Sequence, residues 1–421
     1  MTEDYHQSPE ILDLDDELKD LREEFYFPTN DQGDEYLYFA GHSLGLQPRK
    51  AAPYIERELH DWARYGVEGH LEAENPWLPY HENVTASLAR LVGARPIEVV
   101  AMNSLTVNLH LMMISFYRPT RERYKILIEA SAFPSDQYAV DSQARLHGYD
   151  PKDAIIELRP REGADTIRQD DILKAIDEHG DSIALIMLGN VNYLTGQCFS
   201  IPEITQAGHK KGCFVGFDLA HGAGNLELHL HDWNVDFAVW CSYKYLNSGP
   251  GAIAGAFVHE KHSGLKDIPR LEGWWGTNKT ERFLMKRTFD PIVGVEAWQL
   301  SNPPIFQLAA LRASLELFDR AGIQNLREKS LRLTGYLEFL LRTQLKERVE
   351  ILTPHVPAER GSMLSIRIRG ADRSFSKEIQ DRGAICDFRE PNVFRIAPIP
   401  LYNSFTDVYQ LVEILKEIIG K

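Results

Sequence analysis

Short apolar runs of strand length alternate with helix-length segments between about residue 95 and residue 260. The apolar runs read as strands over residues 124–129, 183–188, 214–218, 237–241 and 253–259. Strands separated by segments long enough to form a helix predict parallel crossover connections and a sheet that helices cover on both faces. The predicted fold class is therefore α/β, with a large domain built on a mainly parallel mixed sheet.

The pattern changes at Ser301-Asn302-Pro303-Pro304, which predicts a hinge. Beyond it, leucines at helical spacing predict helices over residues 305–321 and 325–345. Strands are predicted over residues 362–369 and 393–396, and Ser404 is the predicted N-cap of a final helix. These elements form a smaller C-terminal α+β domain.

The first 36 residues are strongly acidic and include a predicted surface helix over residues 11–25. Ordered structure is predicted to begin with an apolar run over residues 36–39. The chain is thus divided into an acidic segment (1–36), a large domain (37–302) and a small domain (303–421).

Charge and cysteine content narrow the function classes. Lys and Arg total 46 against 61 for Asp and Glu, a net charge of -15, which disfavours nucleic acid and anionic membrane partners. The four cysteines do not have the paired spacing of a zinc site. The two histidines of His229-Leu230-His231 have no evident third ligand, so both are expected on a solvated surface. No bound metal is predicted. No basic leader and no apolar run near 20 residues is present in the sequence, so a cytoplasmic protein is expected.

The strongest chemical signal is a lysine and an aspartate that follow two of the predicted strands. Asp218 ends the run 214–218, and Lys244 follows the run 237–241. Alone, Asp218 reads as a helix N-cap and Lys244 as an ordinary strand-end lysine. Together they form the arrangement that pyridoxal phosphate enzymes need, in which lysine forms an imine with the cofactor aldehyde and a carboxylate keeps the pyridine nitrogen protonated. His221 can orient that carboxylate or pack beside the ring.

Other segments fit the same cofactor, although each also has a simpler interpretation. The helix start at Asn103–Asn108 offers backbone N–H groups to a phosphate, and Tyr243 and Tyr245 flank the lysine. Phe133-Pro134-Ser135-Asp136 offers a ring for stacking and a carboxylate for the polar edge, or is simply a turn.

Three further residues have two interpretations each. Trp274, between glycines in Gly273-Trp274-Trp275-Gly276, can reach a phosphate or a dimer contact. Arg395 on a short apolar strand can clamp a substrate carboxylate or form an ion pair. Cys386 can be a nucleophile, but without a matched base a structural role is favoured.

Several longer runs resemble the kynureninase family of aminotransferase-like, fold-type I pyridoxal phosphate enzymes, and they occur in the same order along nearly the whole chain. These runs are Gly41-His42-Ser43-Leu44-Gly45-Leu46-Gln47-Pro48, Leu105-Thr106-Val107-Asn108-Leu109-His110, Phe133-Pro134-Ser135-Asp136, Gly216-Phe217-Asp218-Leu219-Ala220-His221, Ser242-Tyr243-Lys244-Tyr245-Leu246-Asn247, Ser301-Asn302-Pro303-Pro304 and Arg395-Ile396-Ala397-Pro398. The resemblance implies hydrolysis of L-kynurenine or 3-hydroxy-L-kynurenine to anthranilate or 3-hydroxyanthranilate plus L-alanine, in tryptophan catabolism and NAD biosynthesis. It also implies a homodimer with active sites at the interface.

The resemblance further implies a role for each matching residue. Lys244 attaches the cofactor and moves protons with Tyr243 nearby, Asp218 pairs with the pyridine nitrogen, and His221 flanks it. By the same resemblance, Phe133 stacks on the ring with Asp136 at its edge, and Pro134 and Ser135 are further cofactor contacts. Leu105, Thr106, Tyr243 and Trp274 hold the phosphate, and Asn302 reaches the site across the dimer interface. Arg395 and Ser43 belong to the substrate site. His70, Ser301 and Asn302 line its aromatic end, and this polar trio favours 3-hydroxykynurenine.

A cysteine desulfurase-like pyridoxal phosphate lyase is the alternative function. Enzymes of that kind usually carry histidine before the cofactor lysine, where this chain has Tyr243, and they need a mobile loop cysteine. Cys386 has no glycine- or serine-rich loop around it. A cofactor-bound regulator without turnover would be expected to lack Lys244 or Arg395, and both are present.

Overall fold

The computed structural model describes residues 5–130, 132–264 and 268–420, so the first four residues of the acidic segment lie outside it. The strands of the described chain are short and few exceed five residues. In chain order they are β1 (Phe25–Tyr26), β2 (Leu37–Tyr38), β3 (Gln47–Pro48), β4 (Val99–Ala101), β5 (Lys125–Glu129), β6 (Ile155–Leu158), β7 (Ile183–Gly189), β8 (Phe214–Asp218), β9 (Phe237–Trp240), β10 (Gly255–Val258), β11 (Val349–Ile351), β12 (Leu364–Ile368), β13 (Ala384–Ile385), β14 (Asp387–Arg389) and β15 (Val393–Ile396).

The helices are distributed along the whole described chain, and the longest lie after residue 300. They are α1 (Pro9–Leu14), α2 (Ala51–Tyr65), α3 (Gly69–Glu72), α4 (Thr85–Val92), α5 (Leu105–Phe116), α6 (Pro134–Leu146), α7 (Pro151–Ala154), α8 (Gln169–His179), α9 (Ile201–Lys210), α10 (Ile305–Ala321), α11 (Ile323–Leu340), α12 (Arg373–Asp381) and α13 (Phe405–Ile419). None of these helices is long and apolar enough to cross a membrane.

A seven-stranded sheet forms the centre of the larger part, with strand order β4-β10-β9-β8-β7-β5-β6. The pairs from β9 to β6 are parallel, and only β10 runs antiparallel to both neighbours. Along β5, Ile126 and Ile128 belong to one core cluster and Leu127 to another, because successive side chains point to opposite faces. Both faces are therefore buried, which confirms the predicted mainly parallel α/β sheet.

The smaller part is built on an antiparallel sheet of order β11-β12-β15-β14. Leucines of α11 and α13 pack on it in a separate apolar cluster. The Ser404 hydroxyl accepts from the Asp407 N–H at 3.0 Å while the Asp407 carboxylate accepts from the Ser404 N–H, so α13 begins with the predicted capping box. The boundary at residue 302 stays a prediction.

The predicted helix over residues 11–25 is wrong in extent. The structure has α1 and, after a break, a 3₁₀ turn at Lys19–Glu24. Tertiary contacts explain the break, because Asp13 caps α13 through the Phe405 N–H (2.6 Å) and buried Asp16 pairs with Lys329 (2.7 Å). This acidic stretch is thus bound to the C-terminal part of the chain rather than being only a solvated face.

Candidate active site

The sheet brings most of the predicted site residues to one pocket at the carboxyl ends of its parallel strands. This is where ligands bind in open α/β sheets. The pocket is lined by Leu105, Thr106, Glu129, Phe133, Ser135, Asp136, Gly189, Val191, Tyr193, Asp218, Ala220, His221, Tyr243 and Lys244. Nine of these are residues that the sequence assigned to the cofactor.

Lys244 lies in the loop between β9 and β10 and points into this pocket. Its Nζ is 3.2 Å from Nε2 of His221 and 5.8 Å from the ring centres of both Phe133 and Tyr243. The loop is fixed by backbone bonds from Gly45 N–H to the Tyr243 carbonyl (2.8 Å) and from Asn247 N–H to the Lys244 carbonyl (3.0 Å). The loop that carries Lys244 is therefore held at a defined position by backbone hydrogen bonds.

Gly45 is required by the close approach of its backbone to Lys244. A Cβ at this position would lie 2.4 Å from the Lys244 carbonyl oxygen and 2.8 Å from Asn247 Cα, both backbone atoms. We expect Gly45→Ala to lower the free energy of unfolding by about 3 kcal/mol, because neither contact can move without moving the loop. Urea denaturation measures the effect.

Gly163→Ala is the matched control for this substitution. Nothing lies within 4 Å of its added methyl group, and only its φ of +78° opposes alanine, so a loss of about 1 kcal/mol is expected. Equal losses in the two variants would show that Gly45 does not pack as the structure has it.

Three buried carboxyl groups meet beneath the pocket. Asp218 ends β8 and accepts from the Ala220 N–H at 2.6 Å, while Asp136 shares a hydrogen bond with Asp218 and has an unpartnered Oδ1. Burial raises the pKa of Asp136 well above its usual value, and the nearby Asp218 and Glu129 raise it further. Burial also raises the pKa of Glu129, to about 7. A cationic ring nitrogen is the group that such a cluster would stabilise.

Sequence reasoning missed Glu129 as a site residue. It ends β5 as Asp218 ends β8, is almost fully buried, and its Oε2 accepts from the Gly189 N–H at 3.3 Å. An acidic residue at the end of an apolar strand is the pattern that identified Asp218. The same pattern in the sequence would have identified Glu129.

His221 and Tyr243 are neutral in this environment. Burial lowers the pKa of His221 well below its usual value, and the charges of Lys244 and Arg395 lower it further. Burial raises the pKa of the Tyr243 phenol, so the phenol keeps its proton. The pocket thus offers a neutral imidazole and a proton-carrying hydroxyl beside the Lys244 amine.

The start of α5 suits a phosphate group. Its N-cap residue, Ser104, makes no side-chain capping bond, so the first-turn N–H groups at Leu105 and Thr106 are not satisfied by a cap. The Thr106 hydroxyl lies 2.8 Å from the hydroxyl of Ser135. With the orphaned polar atoms of Asp136 and His221 in the same pocket, these residues fit pyridoxal 5'-phosphate.

Arg395 is almost fully buried at the side of the pocket. Its Nη1 donates to the Tyr193 carbonyl at 2.7 Å, and its Nη2 donates to the Ser43 hydroxyl at 3.1 Å and to the carboxylate of Asp387. The two predicted substrate residues, Arg395 and Ser43, are therefore in direct contact with each other.

Besides Pro134, Arg395 and Ser43, four predicted site residues do not line this pocket. The Trp274 indole N–H donates to the Arg282 carbonyl at 3.1 Å, and His70 Nδ1 lies 2.9 Å from the Val67 carbonyl. Ser301 and Asn302 are exposed. Their roles in cofactor or substrate binding stay predictions.

Two minor predictions are also resolved. Cys386 lies away from the pocket, and burial raises the pKa of its thiol to about 12, which suits a structural residue.

The expectation that His229 and His231 are both solvated is wrong for His231. Its Nδ1 pairs with the buried Glu98 carboxylate at 2.9 Å, which draws the ring into a half-buried position.

Comparison with known proteins identifies the same family throughout. A family model described as "Kynureninase C-terminal domain" matches residues 326–415. A kynureninase from Myxococcus xanthus is 62% identical over 414 residues, covering 98% of this chain and 97% of its own length. A kynureninase from Nematostella vectensis is 49% identical over 428 residues, with 96% and 92% covered.

Solved structures with the same fold include sulfur-handling enzymes. The apo cysteine desulfurase from Thermococcus onnurineus NA1 has a TM-score of 0.77 at 16% identity, covering 95% of this chain and 98% of its own. The cysteine desulfurase CsdA from Escherichia coli gives 0.76 at 16%, with 95% and 98% covered. At such low identity these structures show the fold alone.

Proposed function

The chain belongs to the kynureninase family, and from this membership we propose that it hydrolyses L-kynurenine or its 3-hydroxy form to the aryl acid and L-alanine. The single observation that carries the proposal is 62% identity to a kynureninase over 98% of the chain. The pocket around Lys244 supports it, because the lysine, the carboxyl cluster and the buried arginine suit an amino acid substrate and this cofactor.

Pyridoxal 5'-phosphate, when bound, supplies an aldehyde that captures amines and a cationic ring that withdraws electrons from the substrate α-carbon. Lys244 would hold it covalently, and Asp218 would stabilise the protonated ring nitrogen. Asp136 keeps its proton because of its raised pKa, so it donates to Asp218 and fixes that carboxylate in place. Leu105, Thr106 and Ser135 would bind the phosphate, and Phe133 would face the ring.

The chain's own groups then move protons. The Lys244 amine would remove the proton from the substrate α-carbon. Neutral His221, 3.2 Å from that amine, supplies an acceptor that orients it without adding a second positive charge. The Tyr243 hydroxyl keeps its proton and would donate it to the β-carbon of the alanine fragment after water has cleaved the β–γ bond and the aryl acid has left. Arg395 and Ser43 orient the α-carboxylate.

We further propose that the working enzyme is a homodimer. Trp274 is 41% exposed, and Ser301 and Asn302 are exposed as well, so a second chain would be needed to bring them to a site. Exposed apolar side chains, among them Trp62 and Val67, also support a partner surface. A cytoplasmic location stays a prediction.

The decisive experiment follows aryl acid release by fluorescence from both kynurenines, with sulfide release from cysteine measured in parallel. Anthranilate or hydroxyanthranilate with a matching amount of alanine supports the proposal. Sulfide from cysteine and no aryl acid would favour the desulfurase-like alternative.

The polar trio His70, Ser301 and Asn302 predicts a preference between the two kynurenines. We expect kcat/KM to be about tenfold higher for 3-hydroxykynurenine, because a site built for a hydroxyl discriminates against its absence. His70→Leu should reduce that ratio toward one, while Leu71→Ala, an exposed neighbour, is the control. Equal or better efficiency with plain kynurenine in the wild-type enzyme would contradict the preference.

A further inference from the structure

The antiparallel pair β14 and β15 brings a carboxylate against Arg395. Asp387 lies directly opposite Arg395 in the register of this pair. Opposed residues have neighbouring side chains on one face, and Arg389, two residues from Asp387, shares that face. The cluster of Asp387, Arg389 and Arg395 is therefore set by strand register.

One carboxylate oxygen of Asp387 accepts the hydrogen bonds of this cluster. Its Oδ2 accepts from Arg395 Nη2 and from the Ser43 hydroxyl, and Arg389 Nη2 lies 3.1 Å away. Arg395 and Ser43 are the two residues proposed to bind the substrate α-carboxylate. A carboxylate of the protein thus occupies the donors that a carboxylate of the substrate needs.

We propose that Asp387 is an internal competitor, which holds the α-carboxylate donors in the free enzyme and, when substrate binds, releases them and keeps its pairing with Arg389. This inference rests on the proposed function and names a positioning residue for the same site. If Asp387 kept its bond to Arg395, it would face the substrate carboxylate across the same guanidinium, and repulsion between the two carboxylates would cost several-fold in affinity.

Two observations support an exchange rather than a fixed ion pair. Arg395 has a second anchor, the Tyr193 carbonyl at 2.7 Å, so the guanidinium stays in place when Asp387 leaves. Arg389 already lies within bonding distance of Asp387, and its side chain is 41% exposed. Asp387 therefore keeps a positively charged partner after it releases Arg395. With substrate bound, each carboxylate has its own arginine.

The exchange has a consequence for specificity. In the free enzyme the buried charge of Arg395 is neutralised, so small anions gain little by entering. A substrate must displace Asp387, and only a ligand with a carboxylate of its own can do so. The competitor therefore raises the apparent KM for amino acids and leaves the binding of simple amines unchanged.

Asp387→Asn tests the inference, since the amide keeps the shape and loses the charge. We expect KM for kynurenine, and the inhibition constant of L-alanine, each to fall about fivefold, with a smaller change in kcat. Binding of the decarboxylated amine of kynurenine, measured as inhibition, should stay the same. A rise in both constants would overturn the inference, because it would show that Asp387 only positions Arg395.

Arg389→Gln provides a second arm, and its single variant does not depend on the folding of the Asp387 variant. Without its alternative partner Asp387 competes more strongly, so KM should rise about fivefold in the wild-type background. In the Asp387→Asn background the same change should have no effect. An unchanged or lower KM for the single variant, or an equal rise in both backgrounds, would overturn the exchange.

Arg395→Gln separates failure of the inference from failure of the proposed function. If this variant leaves the KM for kynurenine unchanged, the assignment of Arg395 to the substrate carboxylate is wrong and the inference fails with it. If KM rises strongly in Arg395→Gln and also rises in Asp387→Asn, only the competitor role fails.

Discussion

Replacing Lys244 with alanine is expected to lower kcat for aryl acid release by about 10⁴-fold. Lys244 is the one lysine that lines the pocket among the described residues, with its Nζ 3.2 Å from His221. The variant loses both the amine that holds the cofactor and the base that removes the α-proton. Single-turnover assays with saturating cofactor measure the chemical step directly.

Lys244→Arg is the matched control for charge. Arginine keeps a positive charge near Asp218 and His221 but neither forms the covalent bond nor gives up a proton at neutral pH. We expect it to be nearly as inactive as the alanine variant. Activity within tenfold of wild type in either variant would contradict the assigned role.

Asp218→Asn is expected to lower kcat/KM by about 10³-fold while the fold is kept. The amide has the same shape and can still accept from the Ala220 N–H, but it cannot balance a positive charge on the ring nitrogen. The ring then withdraws electrons poorly and the α-proton is held more tightly. Steady-state kinetics with saturating cofactor measure the loss, and the absorbance of the bound cofactor confirms occupancy.

Asp136→Asn is the internal control from the same carboxyl cluster. Because burial and its charged neighbours raise the pKa of Asp136, it carries a proton and donates to Asp218, and an amide can donate in its place. A loss below about tenfold is expected. If the two asparagine variants lost activity equally, charge at Asp218 would not be the property that matters.

Local pattern predicted much of this structure from the sequence. The spacing of apolar residues predicted a helix over residues 305–321 and a strand over residues 214–218. The structure has α10 at Ile305–Ala321 and β8 at Phe214–Asp218, with the same bounds. Since parallel strands end at one edge of a sheet, an aspartate after one and a lysine after another were enough to predict the pocket. Nine of the residues that the sequence assigned to the cofactor lie together in this pocket, and their roles stay predictions.

Contacts between distant segments could not be predicted in this way. The predicted helix over residues 11–25 breaks because Asp13 and Asp16 bind groups more than 300 residues away. The pairing of Asp387 with Arg395 depends on strand register, which no local pattern fixes. His70, Ser301 and Asn302 lie outside the pocket in one chain, so their assignment depends on the family resemblance.

Mass spectrometry of peptides from the borohydride-reduced enzyme tests whether Lys244 holds the cofactor. We expect reduction to fix one phosphopyridoxyl group on the peptide that contains Lys244, and we expect Lys244→Ala to carry none. A modified peptide that lacks residue 244, or an active enzyme that takes up no label, would contradict it.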